Sequence, residues 1–207
     1  MHRNSIRIVT IRGSVRPGNY TGKALHFVAD ELRRSPGISV EMVDPAGLEL
    51  ALPGAEGGAD DAARLQAAVS GATGVVFATP EYHGSFSSVT KLIIDNLGFP
   101  SVLAGKPIAL LGVAAGQIGA IKALEHLRSV CSHVGAIVLP GPVSVAGVQG
   151  QFDEDGNCVD PRLEKRIRGV ATTLTDYIRS NLCPRIALEQ MVRGEGGAAP
   201  AQGTSSA

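Results

Sequence analysis

The sequence predicts an α/β three-layer sandwich: a five-stranded parallel sheet in the order 2-1-3-4-5 between two layers of helices. Three observations lead there. Strand-like runs alternate with helical segments five times along 207 residues, as successive β–α crossovers require. Most of the strand-like runs are apolar throughout, as strands covered on both faces must be. Loops of glycine and other small residues follow several of them, at the edge where such a sheet carries its ligand.

Each element follows from its residues. Residues 6–11 are a β-branched run ending in Arg12-Gly13-Ser14, read as a buried strand. Residues 20–34 place Leu25, Val28, Ala29 and Leu32 at helical spacing until Pro36-Gly37 stops the helix. Residues 38–44 alternate apolar with polar side chains, as a less buried strand does. A loop rich in glycine, alanine and proline follows at 45–58, then a weaker helix around Leu65, Ala68 and Val69. Residues 74–79 form a third strand that Pro80 is expected to end, and Val89, Leu92, Ile93 and Leu97 mark a short helix. Residues 108–114 are a fourth apolar strand. Residues 117–134 read as the clearest helix, with Ile118, Ile121, Leu124, Leu127, Val130 and Val134 on one stripe. Residues 136–139 give the fifth strand, and 140–158 are irregular around a turn at Asp153-Glu154-Asp155-Gly156-Asn157. Leu163, Ile167, Val170, Leu174 and Ile178 form the last helix. Five strands in this length favour the flavodoxin-like order, with its crevice at the ends of the first and third strands. One domain over 1–183 is expected, followed by a tail, 184–207, that loses periodicity at Pro184 and turns disordered from Gly194.

Charge and cysteine content exclude whole classes. Nineteen basic and nineteen acidic side chains sum to zero, against the basic excess of a nucleic-acid binder and the acidic face of a docking electron carrier. Cys131, Cys158 and Cys183 are odd in number and lack CxxC spacing, so neither a disulfide framework nor a thiolate metal site is expected. His126, Cys131 and His133 scatter around one helix rather than converging on a metal. No apolar run reaches the ~20 residues of a membrane span. A strand begins within a few residues of Met1, leaving no room for a signal peptide. The expectation is a soluble cytoplasmic protein with reduced thiols, no nucleic-acid partner and no membrane.

Three segments at strand ends are able to carry chemistry. Residues 13–21 join a strand to a helix start, where free N–H groups favour an anion. Ser14 and Thr21 add hydroxyls, Asn19 an amide and Arg16 a guanidinium. Neither GxGxxG nor GxxxxGK[ST] is present, so phosphate binding and an ordinary capped loop both stand. Residues 79–85 set Glu81, Tyr82 and His83 in succession, either an acid–base set or a polar loop in which Glu81 holds neighbouring backbone. Residues 112–117 bring small side chains and exposed main chain to a helix start, where a flat ligand can approach.

These residues together resemble a family. The loop Gly13-Ser14-Val15-Arg16, the block Thr79-Pro80-Glu81-Tyr82-His83-Gly84-Ser85 and the run Lys91-Leu92-Ile93-Ile94-Asp95 are similar to those of the NADPH-dependent FMN reductases, which include azo, quinone and chromate reductases. The likeness runs from about Ile6 to Ser180, and the T-P-E-Y block followed by K-x-x-x-D is its specific part. It implies FMN as cofactor and NADPH or NADH as hydride donor, with a flavin, quinone, azo compound or metal oxyanion as the small electron acceptor. It implies a phosphate site of Ser14, Arg16, Asn19 and Thr21, with Tyr20 a further cofactor-binding residue of the same loop. Pro80, Glu81, Tyr82 and His83 would lie at the ring, and Gly116 and Gln117 at its far edge, with Tyr82 and His83 the catalytic candidates. It also implies a homodimer or homotetramer, with the helix around 89–97 as contact surface. The family commonly has Ser, Asn and Asn where Asn19, Thr21 and His83 stand. A one-electron carrier of the same fold, without NADPH-linked turnover, is the alternative.

Overall fold

Alternation along each strand decides which side chains enter which layer, because successive residues point to opposite faces. The computed structural model describes residues 6–193. In chain order its elements are β1 (Ile6–Arg12), α1 (Tyr20–Arg34), β2 (Ile38–Val43), α2 (Ala59–Ser70), β3 (Gly74–Tyr82), β4 (Ser85–Phe86), α3 (Ser88–Asp95), β5 (Pro107–Val113), α4 (Ile121–His133), β6 (Ile137–Val138), β7 (Val143–Val145), α5 (Pro161–Tyr177) and α6 (Cys183–Val192). Ile6 and Ile8, Val76 and Ala78, and Ala109 and Leu111 face a core closed by α1 and α5. Val9 and Ile11, Val75 and Phe77, and Ile108 and Leu110 face the other core, closed by α2, α3 and α4. The sheet runs β2-β1-β3-β5-β6, parallel along this path. This is the flavodoxin-like order read from the sequence, with β5 and β6 as its fourth and fifth strands.

The differences from the sequence reading have local causes. Pro80 does not end β3. The β1 ladder stops at Ala78, so no partner on that side waits for the N–H that proline lacks, and Pro80 still sits opposite Val113. Glu81 and Tyr82 then fold back on β4 as an antiparallel hairpin. The fifth strand is split: β6 pairs with Pro107 and Ile108, and β7 pairs with Leu111–Val113. Between the two pieces stand Pro140 and Pro142, which cannot donate to a ladder. The helix expected from residue 117 begins at Ile121, because Gly119 N–H turns back to the Gly116 carbonyl at 3.2 Å. Ile118 and Ile121 are consequently exposed, and the buried stripe is Ala123, Leu124, Leu127 and Cys131.

In the helix around 89–97, Ile93, Ile94 and Leu97 are buried in this chain's own core, and Val89 and Leu92 are half-buried. Regular structure also extends past Cys183. A π-helical turn, Ile178–Leu182, passes directly into α6, where Pro184 occupies the first turn and needs no N–H partner. Its side chains are largely exposed, which is why no apolar period marks it. The tail expected to be disordered, 194–207, lies outside the described residues, as does His2.

One ion cluster clamps α1 to α5. The Arg168 guanidinium lies 5.1 Å over the Phe27 ring and donates to Asp30 at 2.6 Å and Glu164 at 2.7 Å. The hydrogen bond from Arg168 holds the Asp30 carboxyl below its ordinary range. A lowered carboxylate pKa adds stability above the unfolded-state value of about 3.9, and loses it as pH falls through the folded value. Asp30→Asn should therefore cost about 1 kcal/mol at neutral pH, a screened value for a partly open pair. Urea midpoints of the two proteins should converge as pH falls through the lowered folded-state value of Asp30.

Candidate functional site

A cavity of about 460 Å³ opens at the carboxyl ends of β1, β3 and β5, where the chain direction across the sheet reverses. Its first wall is the loop from β1 to α1. Gly13 crosses β3 there: its N–H donates to the Ala78 carbonyl at 2.7 Å. A Cβ at this position would collide with Thr90 Oγ1 and stand 2.8 Å from that carbonyl, so only glycine fits. Ser14 and Thr21 are buried and line the cavity, with Arg16, Pro17, Gly18 and Tyr20 beside them. Asn19 also lines it, yet its amide is engaged in the loop itself. Oδ1 accepts Gly22 N–H at 2.7 Å, capping α1, and Nδ2 donates to the Arg16 carbonyl at 2.6 Å. Asn19 thus shapes the anion site more than it donates to it. Arg12 is held by Asp44 and by the Ser14 carbonyl at 3.0 Å. Arg16 is exposed and, among the described residues, pairs with no carboxylate.

The second wall is the end of β3, with Pro80, Glu81 and Tyr82. The Glu81 carboxylate accepts the Gly84 N–H, so it holds the hairpin turn instead of pairing with Tyr82 and His83 as an acid–base set. His83 is the non-glycine residue with positive φ, 51°, among those described, and Gly84 follows at 79°. With Tyr82 opposite Ser85, this is a two-residue hairpin of the type that needs positive φ at both central positions. His83 is exposed and stands outside the cavity lining. The turn suits His and Asn alike, since both enter the left-handed region more readily than most side chains.

The third wall is the end of β5 and the residues after it. Val113, Ala114 and Ala115 line the cavity, whereas Gly116 and Gln117 do not. The Gly116 carbonyl accepts N–H groups from Gly119 and Gly147, both at 3.2 Å, and the Gln117 side chain lies along Gly147. This draws both residues towards the segment after β7. That segment in turn supplies two lining residues absent from the sequence reading, Val148 and Gln149. Val148 is fixed by its N–H to the Ala114 carbonyl at 3.0 Å. No motif marks residues 148–149. Their only signal was proximity to a strand that the reading left out.

A back wall steadies Tyr20. Its ring packs 6.3 Å from Phe152, and Lys23 Nζ lies 5.5 Å above it while donating to the Asp153 carbonyl at 3.0 Å. The predicted turn at 153–157 forms through Asp153, which accepts Asn157 N–H at 2.7 Å. Cys158 is half-buried, and burial pushes its thiol pKa up; burial pushes that of Cys131 up to about 12. Neither lines the cavity.

The donor set fits an FMN. A phosphate would find two hydroxyls, a guanidinium that pairs with no carboxylate among the described residues, and first-turn amides that no helix carbonyl can satisfy. A flat ring finds Pro80, Tyr82 and an alanine edge, in a volume ordinary for cofactor pockets. Residues 6–150 match the family described as NADPH-dependent FMN reductase. The chain belongs to that family. It is 31% identical over 181 residues to an NAD(P)H-dependent FMN reductase of Pseudomonas aeruginosa, covering 85% of this chain and 97% of that one. It is 28% identical over 180 residues to a 2-hydroxy-1,4-benzoquinone reductase of a Burkholderia species, covering 84% and 97%. Its fold matches that of FerB, a flavoenzyme NAD(P)H:(acceptor) oxidoreductase of Paracoccus denitrificans, with a TM-score of 0.68 at 24% identity, covering 84% and 97%.

Membership makes the chain an NAD(P)H-dependent, FMN-dependent oxidoreductase, and the one-electron carrier alternative finds no support. The cavity lies at the sheet edge that the strand order selects. Because His83 serves the hairpin, His83→Asn should leave FMN affinity unchanged and preserve or slightly raise the melting temperature. His83→Ile should cost about 1–2 kcal/mol, the penalty of a β-branched residue forced left-handed. Thermal unfolding and flavin titration of both variants check this.

Proposed function

We infer that the chain binds FMN in this cavity and uses it to reduce a small oxidised acceptor, of which a quinone is the best supported. The carrying observation is that one cavity joins an anion-binding helix start to a flat, largely apolar slot. Arg16, Ser14, Thr21 and the α1 amides hold the phosphate. Pro80 and Tyr82 flank the ring, and the main chain at Ala114 and Ala115 meets its edge. When bound, FMN takes two electrons from NAD(P)H and passes them on, so the protein's task is orientation and electrostatics. The cavity's open side serves the nicotinamide and the acceptor in turn, which gives ping-pong kinetics. The quinone assignment draws on the Burkholderia relative, named for a benzoquinone substrate.

We place the enzyme in the cytoplasm, a reading supported by three cysteines without disulfide partners. Among the described residues no helix is long and apolar enough to cross a membrane. A homodimer or homotetramer suits a site with an open side, and Val15 and Tyr82 beside the cavity leave apolar surface exposed. Light scattering of the flavin-loaded protein should give a dimer or tetramer; a monomer at micromolar concentration defeats that assignment.

The functional test begins with FMN added to the purified chain. NADPH or NADH should then bleach the visible absorbance, and a benzoquinone should restore it without oxygen. A protein that leaves FMN unbound refutes the reading. Arg16→Ala should weaken FMN roughly tenfold or more, the worth of a charge-assisted contact, and riboflavin far less. Equal losses for both ligands show that Arg16 does not read the phosphate.

A further inference from the structure

We propose that Thr90, which stands outside the cavity lining, is a positioning residue of the flavin site. Its hydroxyl, with those of Thr79 and Ser87, fixes the spacing between the wall that takes the phosphate and the wall that takes the ring. This rests on the FMN reading above.

The placement of buried hydroxyls points to it. Seven polar side chains are buried among the described residues, all of them serine or threonine. Two of these, Ser14 and Thr21, line the cavity, and Thr79, Ser87 and Thr90 join the main chains of two of its walls. Ser87 caps α3 by accepting Thr90 N–H at 3.1 Å, which would complete an ordinary cap. Here the Ser87 hydroxyl also donates out of the helix, to the Gly13 carbonyl at 2.6 Å. Thr90 Oγ1 lies 2.9 Å from Ser87 Oγ and 3.1 Å from Thr79 Oγ1. Thr79 Oγ1 accepts the Ser87 N–H at 3.1 Å and donates to the Pro80 carbonyl at 3.0 Å. Hydrogen bonds therefore run from the carbonyl of Gly13, the neighbour of Ser14, through the Ser87 hydroxyl and N–H to Thr79 and on to Pro80 in the opposite wall, and the single Thr90 hydroxyl proton braces this path at Thr79.

Apolar contacts would hold these segments together with more tolerance. Hydrogen bonds weaken steeply outside a narrow range of distance and angle, so a satisfied buried network sets a spacing as well as a stability. A ligand that touches both walls feels that spacing; a ligand held by one wall does not. FMN is of the first kind. Riboflavin, which lacks the phosphate, is of the second.

Fluorescence titration of FMN and riboflavin, with the full chain and with Thr90→Val and Thr90→Ser, reads the difference. Thr90→Val should weaken FMN about fivefold to tenfold, the worth of one hydrogen bond, and riboflavin no more than about twofold. Thr90→Ser, which keeps the hydroxyl, should restore most of the FMN affinity. Equal weakening of the two ligands, or a serine variant no better than valine, overturns the positioning role and leaves Thr90 a stability residue. Should Thr90→Val not fold, hydrogen exchange on the unaltered chain decides. FMN should slow the Ser87 and Thr90 amides severalfold more than riboflavin does, and equal slowing overturns the proposal. An unaltered chain that binds neither flavin refutes the FMN reading itself, a separate outcome.

Discussion

The carboxyl edge of the sheet depends on one close crossing, that of Gly13 over the end of β3. Its N–H reaches the Ala78 carbonyl and its carbonyl takes the Ser87 hydroxyl, while the space a side chain would need is filled by Thr90. Because the crossing is this tight, the loop after β1 turns above β3 instead of running outwards, and Ser14 is delivered buried into the cavity. The two polar contacts at Gly13 satisfy groups that burial would otherwise leave unpaired, which is a cost of about 1–3 kcal/mol for each.

Main chain supplies much of the site. Helix starts, strand ends and the alanine edge all present backbone groups, and the side chains near them serve mainly to hold that backbone. Asn19 ties the loop across to Arg16 and Gly22, and Glu81 ties the hairpin at Gly84. Such a site suits a cofactor that brings its own reactivity, since the protein then needs rigid placement more than an acid or a base. It also leaves Arg16 as the permanent cation of the loop with no carboxylate partner among the described residues, beside an Arg12 already engaged by Asp44.

His83 shows how a residue can be conspicuous in sequence and mean something else in space. An imidazole directly after Glu81 and Tyr82 suggests proton chemistry. Its positive φ, followed by that of Gly84, shows a turn requirement that the sequence does not announce.

Local pattern was enough for much of this protein. The apolar period of β1, β3 and β5 made them internal strands, the alternation of β2 made it an edge, and the T-P-E-Y block and the G-S-x-R loop meet at one cavity at their ends. These are properties of neighbours in the chain, and neighbours in the chain are what periodicity and motif record. Tertiary structure alone decided which small residues form the third wall. Gly116 and Gln117 are drawn aside by Gly147, and Val148 and Gln149 arrive through a strand too short, and too interrupted by proline, to show a period. It also decided that Thr79, Ser87 and Thr90 share one network, since their hydroxyls meet only where α3 starts against β3 and the Gly13 loop. Hydrogen bonds between distant segments leave no trace in the spacing of either one, so contacts of this kind become visible only once the sheet has brought the segments together.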